Sequence, residues 1–204
     1  MFIIGLTGGI ACGKSAISYE LKQLGAETFD VDEVTHKLLQ PDGELFKIYV
    51  RHFGEQVIME DGRLDKKIIS EIIFHDEEER LWINSVAHPV LLNYTRQFLV
   101  DCAERGTEVV VLEIPLLFEA GWEDLVDEVW AVYLPREMQI YRLVRRDRIT
   151  PQQAAARINN QMSVKEICDR ADVTINNTAN QNSLQKKILA ALKGKLPPKN
   201  LLTE

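Results

Sequence analysis

The 204-residue sequence lacks an apolar run of the roughly 18 residues that a membrane-spanning helix needs. Its longest apolar segment, residues 109–118, is interrupted by Glu113 and Pro115. There is also no Lys or Arg before Lys14, and three glycines interrupt the apolar start of the chain, which does not resemble a secretory signal. We therefore expect a cytoplasmic protein that does not insert into a membrane.

Cysteine and histidine are scarce, and neither type is grouped as it would be in a metal or redox site. The sequence has three cysteines without a C-x-x-C pair, and its four histidines lack the short spacing of zinc ligands. These residues are Cys12, Cys102, Cys168, His36, His52, His75 and His88. We expect neither a zinc site nor a disulfide framework, and the odd number of cysteines fits a reducing compartment.

Positive charge is in deficit, since 24 Lys and Arg residues stand against 31 Asp and Glu residues, a formal net charge of −7. This balance argues against a broad nucleic-acid-binding surface, although a local positive field can still hold a small anion. With 11 glycines, 7 prolines and 46% hydrophobic residues, the composition is that of a globular protein. The length suits one large core with excursions, and no internal repeat is visible.

Five short apolar segments predict β-strands, with helical patterns between them. The first strand precedes a helix over residues 14–24, where Ile17, Leu21 and Leu24 share one face and Gly25 ends the pattern. Strands that alternate with helices predict a parallel α/β sheet with right-handed crossovers. The segments are Phe2–Thr7, Glu27–Phe29, Val109–Ile114, Glu128–Leu134 and Val173–Ile175. The third and fourth are the most hydrophobic, which predicts central strands covered on both faces.

Two long helical excursions interrupt this alternation. The first, residues 36–105, is too long for a connecting loop and predicts a lobe that projects from the sheet. Within it, Asp76 with Glu79 marks a helix start, and Pro89 predicts a break or a new first turn. The second excursion, residues 136–163, contains further helix starts. The core of a single domain over residues 1–204 would then comprise residues 1–35, 106–135 and 164–204.

Helix-start signals continue in the last third of the chain. The segment Thr150-Pro151-Gln152-Gln153 combines an N-cap residue, a proline at the first helical position and a capping-box partner. Ser163 with Glu166 opens another helix in the same way. A last helix is expected to end near Gly194, before Pro197-Pro198.

Residues Gly8–Ser15 match the pattern G-x-x-x-x-G-K-S between a predicted strand and a predicted helix. Glycines let the backbone curl so that successive N–H groups face the β-phosphate of a nucleotide, and the helix N-terminus adds its dipole. Lys14 can then reach the β- and γ-phosphate oxygens, while the hydroxyl of Ser15 can bind Mg²⁺. A glycine-rich turn with a chance lysine is the alternative, but it requires four fixed positions to coincide in this setting. We therefore predict a phosphate loop for ATP and Mg²⁺.

The carboxylates near this edge of the sheet can each be interpreted in two ways. Glu113 ends a predicted strand, where it either replaces a Walker-B acid or only caps the next turn. Asp30 and Asp32 follow the second strand and share a face if the strand continues. A carboxylate there could be the general base for an acceptor hydroxyl, or Asp32 could be only the N-cap of the next helix. The chain contains neither N-K-x-D nor D-x-x-G, which argues against a GTPase.

One stretch of this acidic chain is rich in arginine. Arg142, Arg145 and Arg146 are neighbours on one face of a predicted helix, so their like charges repel unless an anion neutralises them. The stretch is therefore either a lid that closes arginines over the phosphates of ATP or a solvated helix face. Residues 136–157 contain Arg136, Arg142, Arg145, Arg146, Arg148 and Arg157 against Glu137 and Asp147.

Over nearly its whole length the chain resembles the dephospho-coenzyme A kinase family, within the P-loop nucleotide-kinase group. The shared motifs are short, but they occur in the family's order along one chain. They are Gly5-Leu6-Thr7-Gly8-Gly9-Ile10 through Gly13-Lys14-Ser15, Asp30-Val31-Asp32, Phe53-Gly54, Asp61-Gly62-Arg63-Leu64-Asp65, His88-Pro89, Pro115-Leu116-Leu117-Phe118-Glu119, Gln139 with Arg142, Arg146-Asp147, Arg157 with Gln161, and Ala171-Asp172 followed by Asn177.

The resemblance implies a P-loop NTPase fold with a five-stranded parallel sheet flanked by helices. A helical acceptor-binding lobe would occupy residues 36–105 and a lid residues 136–163. The implied reaction moves the γ-phosphoryl group of ATP to the 3′-hydroxyl of dephospho-coenzyme A, the last step of coenzyme A synthesis. We expect these two small-molecule substrates, no nucleic-acid or membrane partner, and a monomer or weak homo-oligomer.

The resemblance also implies roles for single residues. Asp32 would be the general base, and Ser15 would hold Mg²⁺. Lys14 together with Arg142 or Arg146 would stabilise the transferring phosphoryl group. Asn177 would lie near adenine. The full nucleotide-binding set is Gly9, Ile10, Ala11, Cys12, Gly13, Lys14, Ser15, Ala16, Arg142 and Asn177, and the acceptor-binding set is Asp32, His88, Pro89 and Leu117.

The loop departs from the family pattern, and other functions stay open from the sequence. Ala11 and Cys12 stand where Gly and Ser are usual, and Ala11 predicts a stiffer loop because alanine lacks glycine's freedom at positive φ. Cys12 is either a small residue that fills the loop or a thiol of lowered pKa at a helix N-terminus. His88 is either an acceptor contact or a packing residue beside Pro89. The chain could instead be a kinase for another nucleoside or nucleotide acceptor, or a nucleotide-dependent switch.

Overall fold

Five parallel strands form one sheet in the computed structural model, which describes residues 1–178, 181–193 and 195. The strands are β1 (Phe2–Gly8), β2 (Glu27–Asp30), β3 (Val109–Glu113), β4 (Glu128–Tyr133) and β5 (Val173–Asn176). Their order across the sheet is β2-β3-β1-β4-β5. The predicted parallel α/β fold, with its five strands and P-loop topology, is confirmed.

The middle of the sheet is covered on both faces, as the hydrophobic runs predict. All five residues of β3 are buried, and in register Ile4 of β1 pairs with Val111 of β3. On the other side of β1, Leu6 pairs with Trp130 of β4, whose side chain is fully buried. Burial of both faces explains why these strands are almost continuously apolar rather than alternating.

Nine helices and two 3₁₀ turns lie between and after the strands along the described chain. They are α1 (Lys14–Gln23), α2 (Val31–Leu38), α3 (Glu44–Phe53), α4 (Lys66–His75), α5 (Glu77–Glu104), α6 (Arg136–Asp147), α7 (Pro151–Asn159), α8 (Val164–Arg170) and α9 (Gln181–Leu192), with 3₁₀ turns at Glu55–Val57 and Glu123–Leu125. Ile17 and Leu21 of α1 join Ile188 and Leu192 of α9 in the same core cluster as Trp130. The first helix is thereby anchored to the sheet behind the phosphate loop.

Most of the predicted helix ends are confirmed. Gly25 follows α1 with φ +95°, a left-handed backbone that favours glycine. Asp76 accepts from the backbone N–H groups of Glu78 and Glu79. Thr150 forms a complete capping box, and Ser163 accepts from the backbone N–H of Glu166. The predicted end near Gly194, before Pro197-Pro198, lies outside the described residues.

The expected break at Pro89 is wrong, because α5 is one helix of 28 residues that passes through this proline. A proline inside a helix removes one backbone hydrogen bond and costs about 3 kcal/mol. The helix is retained because buried side chains lie on both sides of the proline. Ala87 and Leu91 flank it, and Thr95 and Cys102 follow farther along α5.

The condition under which Asp30 and Asp32 would share a strand face is not met. Strand β2 ends at Asp30 and helix α2 begins at Val31, so the alternating geometry of a strand does not extend to Asp32. Nor is Asp32 the N-cap of a helix beginning near Glu33. It lies instead within the first turn of α2, where a negative charge is favourable to the helix dipole.

The chain divides into two compact units. One comprises Met1–Asp30 and the described residues from Asp101 onward, and it contains the whole sheet. The other, Val31–Val100, is helical and contains a ring cluster in which His52 stacks on Trp82 with centroids 3.5 Å apart. Nothing in the described part of the chain provides a helix that is both long and apolar enough to cross a membrane.

Candidate active site

The phosphate loop joins the end of β1 to the start of α1, and glycines permit its course. Gly8 has φ +142°, and a Cβ there would lie 2.2 Å from the carbonyl oxygen of Val132 in β4. Gly13 has φ +88° and is the N-cap of α1, with no side-chain hydrogen bond to the first turn. The helix N-terminus therefore presents its N–H groups as anion-binding helices do.

The two polar residues of the motif open α1. Lys14 folds back over the loop, and its Nζ donates a hydrogen bond of 3.0 Å to the carbonyl oxygen of Gly8. Ser15 is the next residue and is exposed to solvent. An ammonium group and a hydroxyl thus lie at the same loop, as binding of a phosphate with Mg²⁺ requires.

Ala11 adopts the left-handed backbone at which glycine is usual, with φ +60°. A non-glycine residue pays roughly 1–2 kcal/mol for this conformation because its Cβ crowds the following carbonyl. The position is thus one where the family's usual glycine would relieve steric strain. Alanine has fewer alternative conformations than glycine at this point. This is the physical basis of the stiffer loop that the sequence predicts.

The possibility that Cys12 is an activated thiol is contradicted by its surroundings. Its side chain is fully buried, and its Sγ accepts from Nε2 of Gln139 over 3.1 Å. Burial raises the pKa of the Cys12 thiol, an effect that outweighs the opposing attractions of Lys14 and Arg142. Cys12 is therefore a small apolar filler beneath the loop, as the alternative interpretation holds.

Two residues distant in sequence bind the carbonyl side of the loop. Asn177, directly after β5, donates from Nδ2 to the carbonyl oxygen of Cys12 over 2.8 Å. Arg142 of α6 donates to the carbonyl oxygens of Ala11 and Asn177, in both cases over 3.4 Å. Asn177 and Arg142 also pack on Gly13, where a Cβ would lie 2.3 Å from Nδ2 of the asparagine. Both are members of the predicted nucleotide-binding set, and the structure brings them to the loop.

Two glutamines of the shared motifs have no predicted role, and both contact the loop. Gln139 lies on the same face of α6 as Arg142, and its spacing of three residues was a usable signal. Gln161 follows α7, and its Oε1 accepts from the backbone N–H of Ile10 over 3.1 Å. No local pattern could have paired Gln161 with Ile10, because the two are 151 residues apart.

The arginines of the helical excursion are not equivalent. Of the three arginines expected to crowd one face of α6, Arg142 contacts the loop. Arg146 is largely exposed and donates to Asp147, which Arg157 also contacts over 2.6 Å. These cations lower the pKa of the Asp147 carboxyl, with Arg146 as the main cause. The positive charge of Arg146 and Arg157 is thus partly neutralised by a carboxylate of the chain itself. A catalytic role of Arg146 stays a prediction.

Other predicted site residues lie in different parts of the chain. Glu113 ends β3, is largely buried and pairs in register with Asp30 of β2. Leu117 is fully buried, and its Cδ1 would be 2.7 Å from a Cβ at Gly5, which makes it a packing residue. Asp32 and the pair His88-Pro89 belong to the helical unit, in α2 and α5 respectively.

A cleft of about 320 Å³ lies beside the loop, between the starts of α6 and α8 and the end of α7. Its lining includes Gly9, Ile10, Arg136, Gln139, Gln161 and Ser163. The adjoining loop fits a nucleotide phosphate by its chemistry, because the N-terminus of α1 and the ammonium group of Lys14 lie there, and Arg136 is the cation of the cleft lining. For Mg²⁺, the described residues offer the Ser15 hydroxyl, and they contain no group of three or more His, Cys, Asp or Glu able to hold a metal.

Comparison with known proteins agrees with this geometry. The dephospho-CoA kinase family model matches residues 2–183. The chain belongs to the dephospho-CoA kinase family. A dephospho-CoA kinase of Carboxydothermus hydrogenoformans is 40% identical over 190 residues, which cover 93% of this chain and 92% of the relative. The resemblance inferred from the motifs is confirmed.

Solved structures give the same result. The dephospho-CoA kinase from Campylobacter jejuni is 27% identical and has a TM-score of 0.67, with 94% of this chain and 95% of that chain covered. A protein from Thermus thermophilus is 28% identical with a TM-score of 0.81, over 96% of this chain and 98% of that chain. Membership of this family makes the chain an ATP-dependent kinase.

Proposed function

We propose that this chain transfers the γ-phosphoryl group of ATP to the 3′-hydroxyl of dephospho-coenzyme A, giving coenzyme A and ADP. This is the last step of coenzyme A synthesis. The observation that carries the proposal is the loop Gly8–Ser15, which has the geometry of a phosphate site in a chain of this family. Phosphoryl transfer needs mainly positioning and charge stabilisation, which such a loop can supply.

The nucleotide side of the reaction would use the loop and α6. Backbone N–H groups of the loop would cradle the phosphates, that of Ile10 only after leaving Oε1 of Gln161. Lys14 would neutralise charge that develops on the transferring group. Arg142 supports this assignment through its contact with Ala11, whereas Arg146 would have to leave Asp147. Mg²⁺, held by Ser15 and the phosphates, would polarise the phosphoryl group when bound. The segment 136–163 would act as the lid.

The acceptor side would use the helical lobe of residues 36–105, together with the start of α2. Asp32 would accept the proton of the 3′-hydroxyl as general base, a role supported by its place in the chain, two residues after the end of β2. His88 and Pro89 would contribute to acceptor binding from α5. Leu117 would act indirectly, because its buried side chain packs against Gly5.

The cellular setting belongs to the same proposal. A kinase of small metabolites with this composition would work in the cytoplasm with Mg-ATP. The chain would form one kinase domain and would be a monomer or a weak homo-oligomer. It would need neither nucleic acid nor a membrane.

The test is ADP release from Mg-ATP with and without dephospho-coenzyme A, with the mass of the product determined. Strong acceptor-dependent release, with one phosphate added to the acceptor, is expected. Lys14→Ala should lower kcat at least about a hundredfold, because the main cation at the phosphates is lost. Asp32→Asn should lower kcat by a factor of about 10² or more while ATP affinity is nearly unchanged.

Matched variants distinguish the loss of these roles from a general loss of folding. Lys22→Ala in the same helix and Glu33→Gln beside the proposed base should retain activity, since Glu33 pairs with Lys37 on the surface. An unchanged kcat in Asp32→Asn would remove Asp32 as base. ATP turnover without any dependence on dephospho-coenzyme A would contradict the acceptor and point to another acceptor or to a nucleotide switch.

A further inference from the structure

The peptide bond between Cys12 and Gly13 is held from one side by Asn177. The Nδ2 of Asn177 donates to the carbonyl oxygen of Cys12 over 2.8 Å, and the asparagine is only 7% exposed. Its own backbone N–H donates to the carbonyl oxygen of Tyr133 over 3.1 Å. Because Asn177 is thus attached to the end of β4, its amide is a fixed point against which the loop is placed.

The orientation of this peptide has a direct consequence for Gly13. The described peptide bonds are trans, and in a trans peptide the C=O and N–H groups point in opposite directions. Since the Cys12 carbonyl points toward Asn177, the Gly13 N–H is turned to the opposite side of the loop. Gly13 is left-handed at φ +88°, as in backbone nests whose N–H groups converge on an anion.

The packing around Gly13 fixes the same arrangement. A Cβ on Gly13 would lie 2.3 Å from Nδ2 of Asn177 and 3.0 Å from Nη1 of Arg142, so the two side chains rest directly on the glycine. Arg142 also donates to the backbone carbonyl of Asn177 over 3.4 Å. The asparagine is therefore in contact with α6 and with the loop at once.

We propose that Asn177 is a positioning residue that presents the Gly13 N–H to a phosphate of the nucleotide. The inference rests on the proposed use of Gly8–Ser15 for the ATP phosphates. It differs from the adenine contact that the family resemblance implies, because the contacted group is a loop carbonyl. A positioning role predicts weaker binding of any polyphosphate, with or without a base.

The experiment compares Asn177→Asp with the matched variant Asn176→Ala by calorimetric titration with ATP, inorganic tripolyphosphate and adenosine. Asn177→Asp keeps the side-chain shape but replaces the donor by an oxygen that repels the Cys12 carbonyl. Affinity for ATP and for tripolyphosphate should fall by the same factor, roughly ten- to a hundredfold, as expected for a hydrogen bond to a charged group. Adenosine binding should not change, and Asn176→Ala should behave as the wild type.

A loss of ATP affinity with unchanged tripolyphosphate binding would overturn the proposal in favour of a base contact, and unchanged binding of both would also overturn it.

The wild type supplies a measurement independent of variant folding. Tripolyphosphate, but not adenosine, should shift the Gly13 amide signal in a ¹H–¹⁵N spectrum, and an unmoved signal counts against the proposal. If the wild type binds tripolyphosphate with this shift but lacks acceptor-dependent ADP release, the proposed function fails while the inference stands.

Discussion

Ala11 and Gly13 both occupy left-handed backbone in the phosphate loop, although only one of them is glycine. The difference lies in their surroundings. Gly13 is covered by Asn177 and Arg142, so a Cβ has no room, whereas Ala11 is partly exposed and its Cβ is tolerated. The motif predicts the glycine at position 13, but only the folded chain shows which side chain would collide with a replacement.

Substitutions at these two positions should therefore have opposite effects. Gly13→Ala should weaken ATP binding at least about tenfold and destabilise the fold by about 2 kcal/mol, because a left-handed alanine would also overlap Asn177. Ala11→Gly should be neutral or stabilising by about 0.5 kcal/mol, since relief of strain exceeds the added entropy of the unfolded chain. Urea unfolding and ATP titration measure both. A strongly destabilised Ala11→Gly would contradict the strain argument.

At the scale of the single element, local signals predicted helix starts well and interruptions poorly. The caps at Asp76, Thr150 and Ser163 depend on side chains within three residues, so they can be read from the sequence. Whether a helix tolerates Pro89 depends on packing along all of α5, which lies beyond any local window. The same limit applies to Asp32, because the end of β2 is determined by its pairing with β3.

The end of α6 provides a pH-dependent prediction at this scale. Arg146 and Arg157 hold the pKa of the Asp147 carboxyl below its ordinary value of about 4. A depressed folded-state pKa stabilises the protein above the unfolded-state pKa, and this contribution is lost as the pH falls through the folded-state pKa. Asp147→Asn should thus cost less than about 1 kcal/mol at pH 7, as expected for partly exposed pairs, and the cost should vanish in acid.

Urea unfolding at pH 7, 5 and 3 checks this behaviour. Asp169→Asn, which removes an exposed i, i+4 partner of Lys165, is the matched control and should have a smaller effect. A difference between wild type and Asp147→Asn that is the same at all three pH values would exclude the ion pairs as its cause.

At the scale of the whole molecule, the sheet brings the ends of β1, β4 and β5 together around one loop. Asn177 and Cys12 are 165 residues apart, and Arg142 and Ala11 are 131 apart, yet all four meet there. The order β2-β3-β1-β4-β5 achieves this because β1 lies beside β4, and β4 beside β5.

Binding of Mg-ATP to this assembly should raise the stability of the folded chain. At a free concentration one hundred times Kd, the gain is about 2.7 kcal/mol, or roughly 5 to 10 °C in Tm for a chain of this size. Thermal unfolding with and without Mg-ATP measures the shift. Lys14→Ala should lose most of it, while Lys22→Ala should keep it. An equal shift in Lys14→Ala would remove the lysine from the nucleotide site.

The sequence by itself determined the strand segments, the phosphate-loop motif, the helix caps and, through the order of its motifs, the family. These features depend on spacing, hydrophobic periodicity and side chains close along the chain. Only the tertiary structure decided that Cys12 is a buried filler, that Arg142 but not Arg146 faces the loop, and that Asn177 and Gln161 bind loop backbone groups. Such contacts join residues more than a hundred positions apart, and burial and hydrogen-bond geometry exist only once the strands have assembled.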